Sequence, residues 1–263
     1  MTERFEGVPR HILITGASQG IGRALARLYA RPGTHLSLFA RSAERLEKVA
    51  ADCRGLGATA CPNIVDVTDA AGMARAIGEA LERAPIDILI ANAGIGGARA
   101  MAGPSGEVPS ATHELVNVNF MGVVNTVTPA LAAMTARGRG QIVIVSSLAG
   151  HIPMPSSPAY SASKAGARTY GIALDRLVRG SGVRVCVVSP GFVETTMSEG
   201  LSMELPHLVP VEKAARIIAE GVAKGRREII FPWQMALIAR VLALLPDRLL
   251  VHVLARSQAR LKS

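Results

Sequence analysis

Seven short runs dominated by Ile, Val, Leu and Ala punctuate the chain, at His11–Thr15, His35–Ala40, Thr59–Asp66, Ile86–Asn92, Gln141–Ser147, Arg184–Ser189 and Glu228–Phe231. Most are continuously apolar rather than alternating, as strands are when helices cover both faces of a parallel sheet. Longer helix-compatible stretches fill the gaps, so the pattern predicts an α/β fold with a doubly wound parallel sheet of about seven strands. Arg31-Pro32-Gly33, Gly55-Leu56-Gly57 and Gly180-Ser181-Gly182 fall just before strands, where a helix must stop and the chain reverse. These breakers separate elements rather than domains. No repeat or long linker divides the chain, and residues 1–231 are expected to form one domain.

Composition narrows the class. A chain of 263 residues, 49% of them apolar, suits one well-buried domain. The cysteines Cys53, Cys61 and Cys186 are odd in number and widely spaced, which supports neither a disulfide framework nor a zinc site, and no metal is expected. The opening Met-Thr-Glu-Arg-Phe-Glu puts acidic residues where an export signal needs a basic stretch, so a cytoplasmic location is expected. The net charge of +9 comes from scattered basic residues, and aromatic side chains make up only 3% of the chain. With so few stacking platforms, no nucleic-acid partner is expected.

The first run leads directly into Thr15-Gly16-Ala17-Ser18-Gln19-Gly20-Ile21-Gly22, followed by a helix-forming segment. Strand, glycine turn and helix form the setting for a dinucleotide site. Gly16 allows a tight exit from the strand, Gly20 lets backbone approach a pyrophosphate, and Gly22 lets helix and strand pack closely. Further along, Tyr160 and Lys164 stand four residues apart in a stretch, Pro158–Val178, that reads as helix, so their side chains share a face. An ammonium beside a phenol favours the phenolate and makes proton exchange feasible near neutrality.

The spacing Gly-x-x-x-Gly-x-Gly, together with Asp66, Asn92-Ala93-Gly94, Asn119, Ser147, Tyr160-Ser-Ala-Ser-Lys164 and Pro190-Gly191, resembles the short-chain dehydrogenase/reductase family. The resemblance spans about Thr15 to Thr195 and implies a Rossmann fold and hydride transfer between a nicotinamide cofactor and a carbonyl or secondary alcohol. It implies that Ser147, thirteen residues before Tyr160, hydrogen-bonds the substrate oxygen while Tyr160 exchanges the proton. Ser146 is the neighbouring alternative, which strand alternation sends to the opposite face. Lys164 would also hold the nicotinamide ribose, and Asn119 would support a water linking Lys164 to solvent. Ser18, Gln19 and Ile21 would complete the phosphate turn. Asp66 and Val67 would face the adenine, Asn92, Ala93 and Gly94 would shape the cofactor floor, and Val193 and Thr195 beyond Pro190-Gly191 would flank the nicotinamide. Thr196 adjoins Thr195, and either can serve instead as a helix cap. The second strand ends in Ala40, where NAD-preferring members carry Asp, followed by Arg41, which favours NADP(H).

Loops after the fourth to sixth strands contribute Ile95, His151, Ile152, Met154, Phe192, Val193 and Met197, an apolar set that predicts a lipid-like or steroid-like small-molecule substrate. Residues 201–205 are a candidate lid. Residues 232–263 read as an amphipathic, basic helical tail that either closes the pocket, packs between subunits or touches an anionic membrane surface. The resemblance also implies a homodimer or homotetramer. The competing reading is an NADP(H)-binding redox sensor or scaffold without turnover, since fold alone does not fix function.

Overall fold

The computed structural model describes residues 9–97, 108–195, 197, 207–235 and 237. Strands β1 (His11–Thr15), β2 (His35–Ala40), β3 (Thr59–Ile64), β4 (Ile88–Ala91), β5 (Gly140–Val145), β6 (Val183–Pro190) and β7 (Glu228–Phe231) form one sheet in the order β3-β2-β1-β4-β5-β6-β7. Every pairing is parallel. Between the strands run α1 (Gly20–Tyr29), α2 (Ala43–Gly55), α3 (Ala70–Arg83), α4 (Pro109–Val116), α5 (Gly122–Arg137), α6 (Pro158–Leu177) and α7 (Val211–Ala223).

Strand alternation divides the core into two layers. Ile12, Ile14, Val143 and Val145 face one side, under α1, α2 and α7, while Leu13, Ile142 and Ile144 face the other, under α3, α5 and α6. Each fully buried Ile or Leu in this set contributes roughly 1.5–3 kcal/mol. That two-sided burial is why the runs are continuously apolar. Pro109–Arg137 is long and apolar enough to cross a membrane by length and composition, but it packs against α3 and α6 within the fold.

The sheet grows outward in two directions from β1 and β4, so a crevice opens at the carboxyl ends of these strands. There the strands stop earlier than the apolar pattern suggests. β3 ends at Ile64 rather than Asp66, β4 at Ala91 rather than Asn92, and β5 at Val145 rather than Ser147. Beyond the last ladder partners the chain turns toward the crevice, which makes Asp66, Asn92 and Ser147 loop residues that line it. The candidate lid at 201–205, Thr196 and the tail beyond residue 237 lie outside the described residues.

Candidate active site

The crevice is a cavity of about 1360 Å³. That exceeds the roughly 300–1,000 Å³ of an ordinary small-molecule pocket, so a dinucleotide and a substrate fit together. Gly16, Ser18, Gln19, Gly20, Ile21, Arg41, Asp66, Val67, Asn92, Ala93 and Gly94 line one part of it. Ser147, Tyr160, Lys164, Pro190, Gly191, Val193 and Thr195 line the other. Of the cofactor and catalytic candidates, only Gly22 and Asn119 stand behind this wall.

The glycine turn is shaped by contact. Gly16 has φ +65°, a left-handed conformation, and a Cβ there would sit 2.8 Å from Ala93 Cα. A Cβ on Gly22 would run into the Gly16 carbonyl oxygen. The turn is locked to β4: Thr15 Oγ1 accepts from Asn92 N (3.1 Å) and Ala93 N (3.2 Å), and Asn92 Nδ2 donates to Thr15 O (3.0 Å). Asn92 thus holds the turn in place as well as forming floor. Helix α1 begins with no side-chain cap on its first-turn N–H groups and no acidic residue in that turn. Open donors and the positive end of the helix dipole make this terminus a fit for a pyrophosphate.

Two guanidiniums flank the end of β2. Arg41 Nη1 lies 3.5 Å from Asp66 Oδ2, and Arg45 Nη1 donates to Gln19 Oε1 at 2.8 Å. Burial alone would raise the Asp66 pKa, but hydrogen bonds from Thr68 N and Oγ1 and the charge of Arg41 outweigh it and hold the carboxyl below its usual range. Arg45 was not among the residues the sequence pointed to. Its signal was present in the four-residue spacing from Arg41 into the start of α2.

The reactive cluster is assembled from two segments, the turn after β5 and helix α6. Ser147 stands two residues past β5 as cap of a short turn, Leu148–Gly150, where its Oγ accepts from Ala149 N at 3.2 Å. Ser146 also borders the cavity, and its buried Oγ donates to Lys164 O at 2.8 Å, on the helix that carries Tyr160. Tyr160 and Lys164 come from successive turns of α6, with Lys164 Nζ 5.9 Å from the Tyr160 ring centroid. Lys164 is only 5% exposed, and its ammonium donates to Val145 O at 3.2 Å. Burial pulls its pKa down to about 8.

The expected coupling of Tyr160 to Lys164 takes a different form here. Burial pushes the Tyr160 phenol above its usual pKa, and the influence that opposes burial is a hydrogen bond with Ser147 rather than the lysine. The reason is positional, since the ammonium donates to Val145 O and lies over the face of the ring, 5.9 Å from its centroid. A phenol kept protonated is suited to donating a proton.

Asn119 lies in a π-helical segment, Asn117–Met121, between α4 and α5. Such a segment inserts an extra residue into a helix, often at functional sites, and here Asn119 is fully buried. Its Oδ1 accepts from Ile95 N (2.8 Å), and its Nδ2 donates to Ile95 O (3.1 Å) and Ser163 Oγ (3.2 Å). Ser163 Oγ in turn donates to Tyr160 O. The side chain therefore ties the loop after β4 to α6. Gly94 completes this packing, because a Cβ there would come within 3.0 Å of Asn119 Oδ1 and 3.2 Å of Lys164 Nζ.

On the substrate side Ile95, Ile152, Met154, Phe192, Val193 and Met197 line the cavity as expected, joined by Met235, which the sequence reading did not single out. His151 does not. Its Nε2 bonds Ser189 Oγ at 2.9 Å beside Glu228, and Glu228 receives two bonds from Arg168. This polar network draws the ring away from the cavity toward the β6–β7 edge. Thr195 lines the cavity beside Gly20.

A glycine turn opening on one side of a switch-point cavity and a Ser–Tyr–Lys cluster on the other define a nucleotide-binding oxidoreductase of the Rossmann type. The chain belongs to the short chain dehydrogenase family, whose model matches residues 10–205. It is 35% identical over 242 residues to an uncharacterized oxidoreductase of Myxococcus xanthus, covering 91% of this chain and 94% of that protein. It is 32% identical over 241 residues to a hydroxysteroid 11-beta-dehydrogenase 1-like protein of Macaca fascicularis, covering 89% and 83% respectively. Among solved structures it superposes on a short-chain dehydrogenase from Sphingobium yanoikuyae in complex with NADPH, with TM-score 0.77, 27% identity and coverage of 90% and 96%.

Proposed function

We propose that this chain is an NADP(H)-dependent oxidoreductase that interconverts an apolar, lipid-like or steroid-like ketone and its secondary alcohol, with Tyr160 as general acid and base. The observation that carries the reading is the convergence of Ser147, Tyr160 and Lys164 on the cavity that the glycine turn opens into. The nicotinamide, when bound, supplies or accepts the hydride. The first-turn N–H groups of α1 and the glycine turn hold the pyrophosphate, and Arg41, with Arg45 beside it, favours the 2′-phosphate of NADP over a bare ribose hydroxyl. Ser147 hydrogen-bonds the substrate oxygen and orients it. Tyr160 donates its phenolic proton to that oxygen during reduction and takes it back during oxidation. Lys164, held against Val145 O, carries the adjacent positive charge that stabilises a transient phenolate.

The apolar substrate class is supported by the lining of Ile95, Ile152, Met154 and Phe192, and by similarity to a protein named for a hydroxysteroid. Cytoplasmic location, assembly as a homodimer or homotetramer, and peripheral membrane contact through residues 232–263 belong to the same proposal, as does residues 1–231 acting as one catalytic domain. The test is loss of reduced-cofactor absorbance with a panel of ketones graded in size and polarity, run in parallel with NADPH and NADH. Turnover confined to small polar carbonyls, or equal efficiency with the two cofactors, would contradict the reading.

A further inference from the structure

The segment just past β3 is held in place from across the fold. β3 is an edge strand of the sheet. Beyond Ile64 the chain keeps a bond to β2, from Val65 N to Ala40 O at 3.2 Å, and then leaves the sheet. Asp66 is tied to its own turn, accepting from Thr68 N and Thr68 Oγ1 at 2.9 Å, and its Arg41 partner is itself exposed. Val67 is anchored differently. Its carbonyl accepts from Asn125 Nδ2 at 2.9 Å, and a Cβ on Gly122 would come within 2.7 Å of Val67 Cγ2. Gly122 and Asn125 stand three residues apart at the start of α5, on one face of the helix. One helical turn therefore grips both the side chain and the carbonyl of a residue 58 positions away from Asn125.

The place of Val67 in the cavity gives that grip a purpose. Val67 is buried in the layer under α3, α5 and α6, yet it also lines the cavity, as do Arg41, Ser42 and Asp66. A pyrophosphate on the glycine turn sits at the end of β1, and the reacting end of a dinucleotide reaches Tyr160 and Lys164 past β4 and β5. The other end then extends the opposite way, over β2 and β3, where Val67 stands. A purine presents flat faces to an apolar wall. Such a wall contributes most when the segment that carries it is already fixed, because ordering it on binding costs affinity.

We propose that Asn125 is a positioning residue for cofactor binding, which holds the Val67 backbone so that the adenosine half of the dinucleotide meets a preformed apolar wall. The assignment rests on the functional reading above, in that the cavity takes a nicotinamide dinucleotide. Asn125 is not part of the cavity lining and acts through Val67. The position requires a donor. The amide NH2 donates to the Val67 carbonyl, whereas the carboxylate of an isosteric aspartate only accepts and would face that oxygen with like charge.

The experiment measures, by calorimetry, the binding of NADPH, NADH and ADP-ribose to wild type, Asn125→Ala and Asn125→Asp, with kcat at saturating NADPH alongside. The expected result is a Kd that rises by one common factor for all three ligands, about fivefold in Asn125→Ala and at least about tenfold in Asn125→Asp. The kcat at saturation is unchanged, because the reacting groups are untouched. A common factor places the loss in the adenosine half that the three ligands share and leaves the ratio of NADPH to NADH affinity as it was. A residue that only fills space would tolerate the isosteric aspartate. Both variants are first melted, and if Asn125→Asp does not unfold cooperatively, the alanine comparison alone decides. Unchanged affinity in the variants, full affinity in Asn125→Asp, or a loss confined to NADPH would overturn the assignment and leave the functional reading standing. Wild-type protein that binds none of the three ligands would overturn the functional reading, and the assignment with it.

Discussion

Replacing Lys164 with methionine should stabilise the cofactor-free protein while abolishing its activity. The ammonium is 5% exposed, and burial lowers its pKa from 10.5 to about 8. At 1.36 kcal/mol per tenfold change, keeping that charge in the fold at neutral pH costs about 3 kcal/mol relative to the unfolded chain. Methionine has similar length and no charge, and the substitution forfeits the bond to Val145 O, worth about 1 kcal/mol. The net gain is therefore about 2 kcal/mol at pH 7, or roughly 4–8 °C in melting temperature for a chain of this size. The sign of the pH dependence is equally specific. Between about pH 8 and 10.5 the unfolded chain binds more protons at this lysine than the native one, so wild-type stability recovers as pH rises through that window. The advantage of Lys164→Met should shrink accordingly, to near parity by about pH 10. Circular dichroism melts of both proteins at several pH values, without cofactor, read this directly. A variant less stable than wild type at neutral pH, or a gap that stays constant with pH, would refute the argument that Lys164 is a charge held in the fold at a cost to stability.

Other outcomes follow from the same geometry. Tyr160→Phe should lower kcat about 10²–10⁴-fold with little effect on NADPH affinity, measured by steady-state kinetics and fluorescence titration. Arg41→Ala should weaken NADPH binding about 10–100-fold, the value of a charged hydrogen bond, while leaving NADH binding nearly unchanged, and Arg45→Ala should move the same ratio in the same direction. Gly94→Ala should perturb both Asn119 and Lys164, because the added methyl meets their side chains at 3.0 and 3.2 Å. It is expected to reduce kcat/KM at least tenfold while unfolding cooperatively in a melt. His151→Ala should leave the KM for apolar ketones unchanged, since the ring faces Ser189 rather than the cavity.

The parts legible in the sequence are those governed by local rules. Continuous apolar runs announced buried strands, and the glycine turn announced itself because Gly16 and Gly22 are positions where no side chain fits. Tyr160 and Lys164 were paired by helical spacing, but strand alternation did not set Ser146 apart from Ser147, because β5 ends at Val145 and both residues border the cavity. The harder features depend on contacts between distant segments. Nothing near Asn119 in sequence signals that its amide would bond Ile95, twenty-four residues away. His151 read as a pocket residue from its loop, but its partners Ser189 and Glu228 come from two later strands. Strand ends were overrun because the residues that turn into the cavity continue the strand pattern, while the ladders end at Ile64, Ala91 and Val145.

The central claim is proton transfer by Tyr160 in a cavity built for NADPH and an apolar carbonyl. Its most direct test mixes excess purified enzyme with NADPH and a large apolar ketone and follows a single turnover through the reduced-cofactor absorbance, for wild type and Tyr160→Phe. Rapid oxidation by wild type, with the cofactor bound but unreacted in the variant, is the predicted result. Equal single-turnover rates in the two proteins would contradict the account.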